Sequence, residues 1–263
     1  MSSPIERLLR HDRLIVIVAL MVVTMAAGLF TLFGVGLPMS AFDMKAMPDD
    51  MDKLLIPALW TPTYFIIIFL MWWVMMIAMM IPGAAPTILL FTALDRRGGD
   101  GKFIFFKMIL FLSGYLAVWG FFSFCATFLQ WILEHHALAS PVMMKVTGHY
   151  LGAGILLLAG LYQFTPLKRA CLTHCRAPVR FLTERRRPGR RGAFLMGAEH
   201  GLFCLGCCWF LMVLLFFGGI MNLYWIAGLA LFILFEKLVP HGHRIGYAGG
   251  LVLTIAGGYL LMS

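Results

Sequence analysis

A chain of 263 residues that is 61% hydrophobic and only 13% charged, with a mean hydropathy of +0.89, departs from soluble domains, in which about a quarter of residues are charged. Its net charge of +9 lies in short segments between apolar runs and not on a polar domain, which excludes a nucleic-acid groove and resembles the cytoplasmic loops of a membrane protein. The lipid bilayer is the better solvent for this composition, so the expected fold class is all-α: a polytopic transmembrane helical bundle forming one integral membrane domain over residues 1–263.

A spanning helix needs about 20 apolar residues. The first apolar run covers about 14–37, behind Arg7, Arg10 and Arg13. It exceeds the roughly 7–15 residues of a signal-peptide core and no small-x-small pattern closes it cleanly, so a retained anchor is expected. Further runs cover about 63–92, 103–129, 150–166, 198–218, 221–238 and 245–262, for about seven spans. The stretch from Leu202 to Leu238 is too long for one crossing, and Gly218-Gly219 with Met221-Asn222 supplies the turn that divides it. With the N-terminus placed in the cytoplasm, only Lys45, Lys53 and Lys145 of the 21 basic residues fall outside. That asymmetry fixes the expected orientation and, for a bacterial source, the inner membrane.

Within the second run, Met71, Met75 and Met79 recur at helical spacing with Met76 and Met80 beside them. They form either a thioether ladder or ordinary gap-filling core. Pro82 and Pro86 flank Gly83 and release backbone carbonyls near the cytoplasmic end of this span. The first outer loop carries Asp43, Asp49, Asp50 and Asp52; the second carries His135, His136 and His149, expected to be unliganded surface histidines.

At the cytoplasmic end of the fourth run, Lys168-Arg169-Ala-Cys171-Leu-Thr-His174-Cys175-Arg176 places two cysteines four apart, on one face if the segment is helical. The surrounding basic side chains favour thiolate. Cys-x3-Cys alone leaves ligand and packing readings open. The run from Arg185 to Arg191 is a topology anchor suited to anionic lipid.

The densest constellation follows, in Glu199-His200-Gly-Leu-Phe-Cys204-Leu-Gly-Cys207-Cys208-Trp209. On a helix, His200, Cys204 and Cys207 fall within roughly 60° of one another, with Met196 a turn earlier. Thiolate, imidazole and thioether suit copper(I); without the thioether they suit zinc, the alternative cofactor. On the expected topology these cysteines lie on the reducing side, so free thiols or ligands outrank a disulfide framework. His241 and His243 lie near the same membrane side. Gly246 and Gly250 read as a helix-packing pair. Carboxylates are nearly absent from the apolar runs, and only Glu199 and Glu236, near helix ends, approach one.

No phosphate-cradling glycine loop, nucleophile elbow or protease-type histidine motif is present, so a non-enzymatic role is expected. The segments at 71–82, 165–176 and 201–209, followed by Gly219, Met221 and Asn222, resemble a bacterial family of integral membrane proteins described as predicted metal-binding, some labelled copper chaperones. That resemblance covers about residues 5–240 and implies metal handling at Cys171, Cys175, His200, Cys204, Cys207 and Cys208. With His174, Met75 and Met79 added on ligand chemistry, these are the candidate site residues. The expected function is binding of copper(I) on the cytoplasmic side for delivery to a copper-receiving protein or for transport. A membrane thiol–disulfide or metal-dependent oxidoreductase and a structural assembly subunit are the alternatives.

Overall fold

The structure is a computed structural model; it describes residues 59–97, 104–140 and 144–263, and within the first 58 residues only Val18, Met21, Val22 and 24–29, which are helical. Most of the expected first span and the aspartate-bearing outer loop therefore lie outside the described residues. The rest is all-α, in the order α1 Pro62–Arg97, α2 Ile104–His135, α3 His149–Tyr162, α4 Pro166–Arg176, α5 Pro178–Glu184, α6 Gly189–Val213, α7 Leu215–Gly218, α8 Leu223–Leu238 and α9 Gly242–Met262. No strand occurs among the described residues, and Ala139 and Val146 make an isolated bridge.

Four helices are long and apolar enough to cross a membrane: α1, α2, the continuous α6–α7 and α9. A fifth is counted if α3 and α4, bent by 63°, form one broken span. Six of the seven expected runs fall among the described residues, and two of them fold as short helices. α3 has 14 residues, about 21 Å of helix against a hydrocarbon core of about 30 Å. α8 has 16 and falls short on the same measure. The bend arises locally: the Thr165 side chain accepts from the Lys168 amide and Pro166 occupies the first turn, so a new helix starts in a new direction. The break expected near Gly218 is present. α7 ends at Gly218, Gly219 has φ +91°, and the Asn222 side chain caps α8 by accepting from Trp225 N. α1 continues through Pro82 and Pro86.

α6 is the axis of the arrangement. α2 lies along one side of it and α4 along another, while α9 runs along α3 and α1 along α2. The α2–α6 crossing is set by two glycines. A Cβ on Gly197 would collide with the Phe111 carbonyl oxygen, and one on Gly114 with that of Phe194. Only glycine lets these backbones meet, the small-residue packing that membrane helices use. The interior is aromatic and thioether-rich, with Trp72, Met75, Met76, Phe111, Tyr115 and Trp119 almost wholly enclosed, whereas Phe121, Leu202, Val252 and Ile255 are more than half exposed. Large apolar side chains facing outward suit lipid as the surrounding medium.

Candidate metal centre

The expected ligand face of α6 points inward. Met196, His200, Cys204 and Cys208 recur every four residues and each is at most 2% exposed, with Cys207 buried beside them. α4 brings the second group of sulfurs against this face, although Cys175 is separated from Cys207 by 32 positions in the chain. Cys175 Sγ lies 4.0 Å from Cys207 Sγ, and Cys207 Sγ lies 3.4 Å from Cys208 Sγ. Cys204 has Cys175 and Cys208 as sulfur neighbours. Cys171 lies farther along α4, against Gly206, where an added Cβ would come within 2.7 Å of its sulfur. All six cysteines, including exposed Cys125, are free.

α4 is held in place at both ends. Lys168, buried, forms an ion pair with Glu236 of α8 at 2.7 Å and also donates to Gln163. Arg176 donates to the Val239 carbonyl at 2.7 Å. Tyr162, at the end of α3, donates to the Gly206 carbonyl at 2.5 Å, so the bend and the thiol cluster are tied to the same turn of α6.

Each thiol has a defined polar environment. Cys207 and Cys208 both donate to the Cys204 carbonyl, at 3.1 and 2.7 Å. Cys204 Sγ instead meets two groups from other helices, the Tyr115 hydroxyl at 3.0 Å and Lys237 Nζ at 3.0 Å. The same hydroxyl lies 3.3 Å from the Met80 carbonyl, so its one proton can serve either that oxygen or the sulfur. His200 stacks on Tyr115, 5.7 Å between ring centres, and also lies near Phe111 and Phe181. Its Nδ1 is buried without a hydrogen-bond partner.

Among the described residues, no three His, Cys, Asp or Glu side chains stand in a geometry already able to hold a metal ion. The physical reason is visible in the hydrogen bonds. Two thiols turn back to a backbone carbonyl and a third sulfur faces an ammonium, so the donors are not aimed at one centre. Their spacing still suits a metal. Bonds of about 2.3 Å put sulfurs about 4.0 Å apart around a three-coordinate ion and about 3.8 Å around a tetrahedral one.

The other candidates divide clearly. His174 stacks flat on Phe203 at 4.2 Å and its Nδ1 meets the Ala170 carbonyl at 2.9 Å, so its contacts lie outside the sulfur group. Met75 and Met79 are buried, at 1% and 4% exposure, in the same core as Met71, Met76 and Met80. α1 reaches the thiols through Tyr115 of α2 and Lys237 of α8, and not by lying along α6. His135, His136, His149, His241 and His243 are exposed. Glu199 pairs with Arg185 and, at 3.4 Å, with Arg187.

Three residues of consequence were not singled out by sequence reasoning: Tyr115 and Lys237 at the thiols, and Glu134 near the far end of α2. Glu134 is buried, accepting from Trp60 Nε1 at 2.9 Å and Gln130 Nε2 at 2.8 Å, while Gln130 accepts from Trp72 Nε1 at 2.9 Å. It adds a carboxylate to an interior in which only Glu199 and Glu236 were expected.

A family model described as PpoB2, copper chaperone, matches residues 69–260, a range that includes every sulfur of the thiol and methionine clusters. No curated protein and no solved structure matches the chain.

Proposed function

We propose, from the premise that this chain belongs to the copper chaperone family PpoB2, that it binds copper(I) among the thiols of α4 and α6 and either hands the ion to a receiving protein or moves it across the membrane. The observation that carries this reading is the convergence of sulfur from two elements, Cys175 at 4.0 Å from Cys207 and Cys207 at 3.4 Å from Cys208. Soft thiolates favour copper(I). The buried methionines of α1 would add thioethers, from which zinc gains little. The family description names copper and lends zinc no support.

On this reading the N-terminus is cytoplasmic, in a bacterial inner membrane. The seven crossings are the run 14–37, α1, α2, the bent α3–α4 pair, α6–α7, α8 and α9. The lysine and arginine asymmetry supports that orientation, and it puts the thiols on the cytoplasmic side. Cys175, Cys207 and Cys208 are the primary ligands, with His200 and Cys171 at the margins of the site.

Metal analysis of detergent-purified protein loaded anaerobically with copper(I) tests this. Cys175→Ser and Cys207→Ser should each weaken binding by at least the roughly tenfold that loss of even an outer-shell partner costs. Wild-type protein that takes up no copper would sink the reading. The same sulfur spacing also favours a second function, thiol–disulfide exchange between Cys175 and Cys207. Thiol trapping that finds every cysteine reduced under all redox conditions would remove it.

A further inference from the structure

The thiol cluster already contains a cation, one belonging to the protein. Lys237 of α8 is 7% exposed, and its Nζ donates to Cys204 Sγ at 3.0 Å. Gly83 of α1 makes room for it: a Cβ there would stand 3.1 Å from Lys237 Cδ and 3.7 Å from Nζ. A buried ammonium needs an anion beside it. The adjacent carboxylate, Glu236, is paired with Lys168, and Arg176 donates to the Val239 carbonyl. Cys204 is the group within reach, and the Tyr115 hydroxyl adds a second polar contact to the same sulfur. The other thiols differ. Cys207 and Cys208 turn to a backbone carbonyl, and Cys175 faces Cys207 and Cys204.

We propose that Lys237 sets the coordination number of the metal site: by keeping Cys204 as its own counter-ion, it leaves an incoming ion only Cys175, Cys207 and Cys208. The proposal rests on the reading of this cluster as a copper site. Copper(I) is satisfied by a few soft sulfurs, whereas zinc-like dications favour four ligands in a tetrahedron. To recruit Cys204, such a dication would have to strip a buried ammonium of its partner, which is strongly unfavourable. Selectivity for a monovalent ion then comes from a withheld ligand, in addition to the softness of the ligands offered.

Silver(I) and cadmium(II) separate these effects, because both are thiophilic, filled-shell ions that undergo no redox change on binding. The full chain in detergent should bind silver(I). It should bind cadmium(II) about tenfold or more less tightly than Lys237→Leu or Lys237→Gln, each of which frees Cys204 and adds no sulfur. Lys237→Arg, which keeps the charge, should behave as the wild type. Cadmium NMR, whose shift counts sulfur ligands, should report three sulfurs in the wild type and four in Lys237→Leu. Four sulfurs in the wild type, or a Lys237→Leu protein with unchanged cadmium affinity and ligand number, overturns the proposal.

Should no Lys237 variant survive purification, the wild type decides alone. Three sulfurs, or silver uptake without cadmium uptake, upholds the proposal, and four sulfurs overturns it. Wild type that takes up neither ion instead defeats the copper reading on which the proposal rests.

Discussion

At the scale of single residues, the buried methionines of α1 separate two roles that the same burial permits. Met75 and Met79 are one turn apart and enclosed. Replacing both by leucine conserves volume, so each change should cost less than about 1.5 kcal/mol, and thermal unfolding in detergent should shift little. If the thioethers guide copper(I), copper-dependent growth or transport should nevertheless fall at equal expression; wild-type copper handling would make them packing material. The common face of His200, Cys204 and Cys207 was readable in advance because they belong to one helix, where spacing alone fixes the direction in which side chains point. Lys237 was not. A lysine at the end of an apolar run reads as a topology signal, and its reach to Cys204 depends on how α8, α1 and α6 meet, which local periodicity does not encode. Tyr115 was hidden for a related reason, as one more aromatic in an apolar helix until its hydroxyl is placed beside Cys204 and Met80.

At the scale of elements, length and composition identified the long helices, whereas the fourth and sixth apolar runs fold as short ones, α3 and α8. The Thr165-Pro166 start signal was present in the sequence and marks where α4 turns away. The 63° bend itself is a tertiary outcome, fixed where Tyr162 and Lys168 find partners on α6 and α8. Glycine content poses the same difficulty, since glycines alike in sequence play unlike parts. Gly197→Ala should destabilise the protein by roughly 1–3 kcal/mol through overpacking, because its Cβ would strike the Phe111 backbone. Gly228→Ala in α8, where nothing lies within 4 Å of an added Cβ, should be neutral or stabilising by up to about 1 kcal/mol. Unfolding of the two variants in one detergent checks the contrast; equal effects would mean that the α2–α6 approach is less tight than described.

At the scale of the whole molecule, two buried polar groups stand apart along α2. Tyr115 belongs to the thiol end, whereas Gln130 and Glu134 form the other with Trp60 and Trp72. The 15 residues from Tyr115 to Gln130 correspond to about 22 Å of helix. Gln130→Leu would leave the Trp72 indole and one Glu134 oxygen unpartnered, at a cost of about 1–3 kcal/mol for each buried polar group. Stability should therefore fall while copper affinity at the thiols stays within about twofold, since changes at distant, unconnected sites are nearly independent. A parallel loss of copper affinity would show that the two ends act as one system. The glycine crossing has a mechanical consequence. Where Gly114 and Gly197 bring two backbones together, no side chain remains to swing or compress, so α2 and α6 are pinned like the rivet of a pair of shears. Any movement that opens the thiol cluster would then fall to the opposite jaw, α4 and α8, which are joined to each other by long side chains, Lys168 to Glu236 and Arg176 to the Val239 carbonyl, that can let go one at a time.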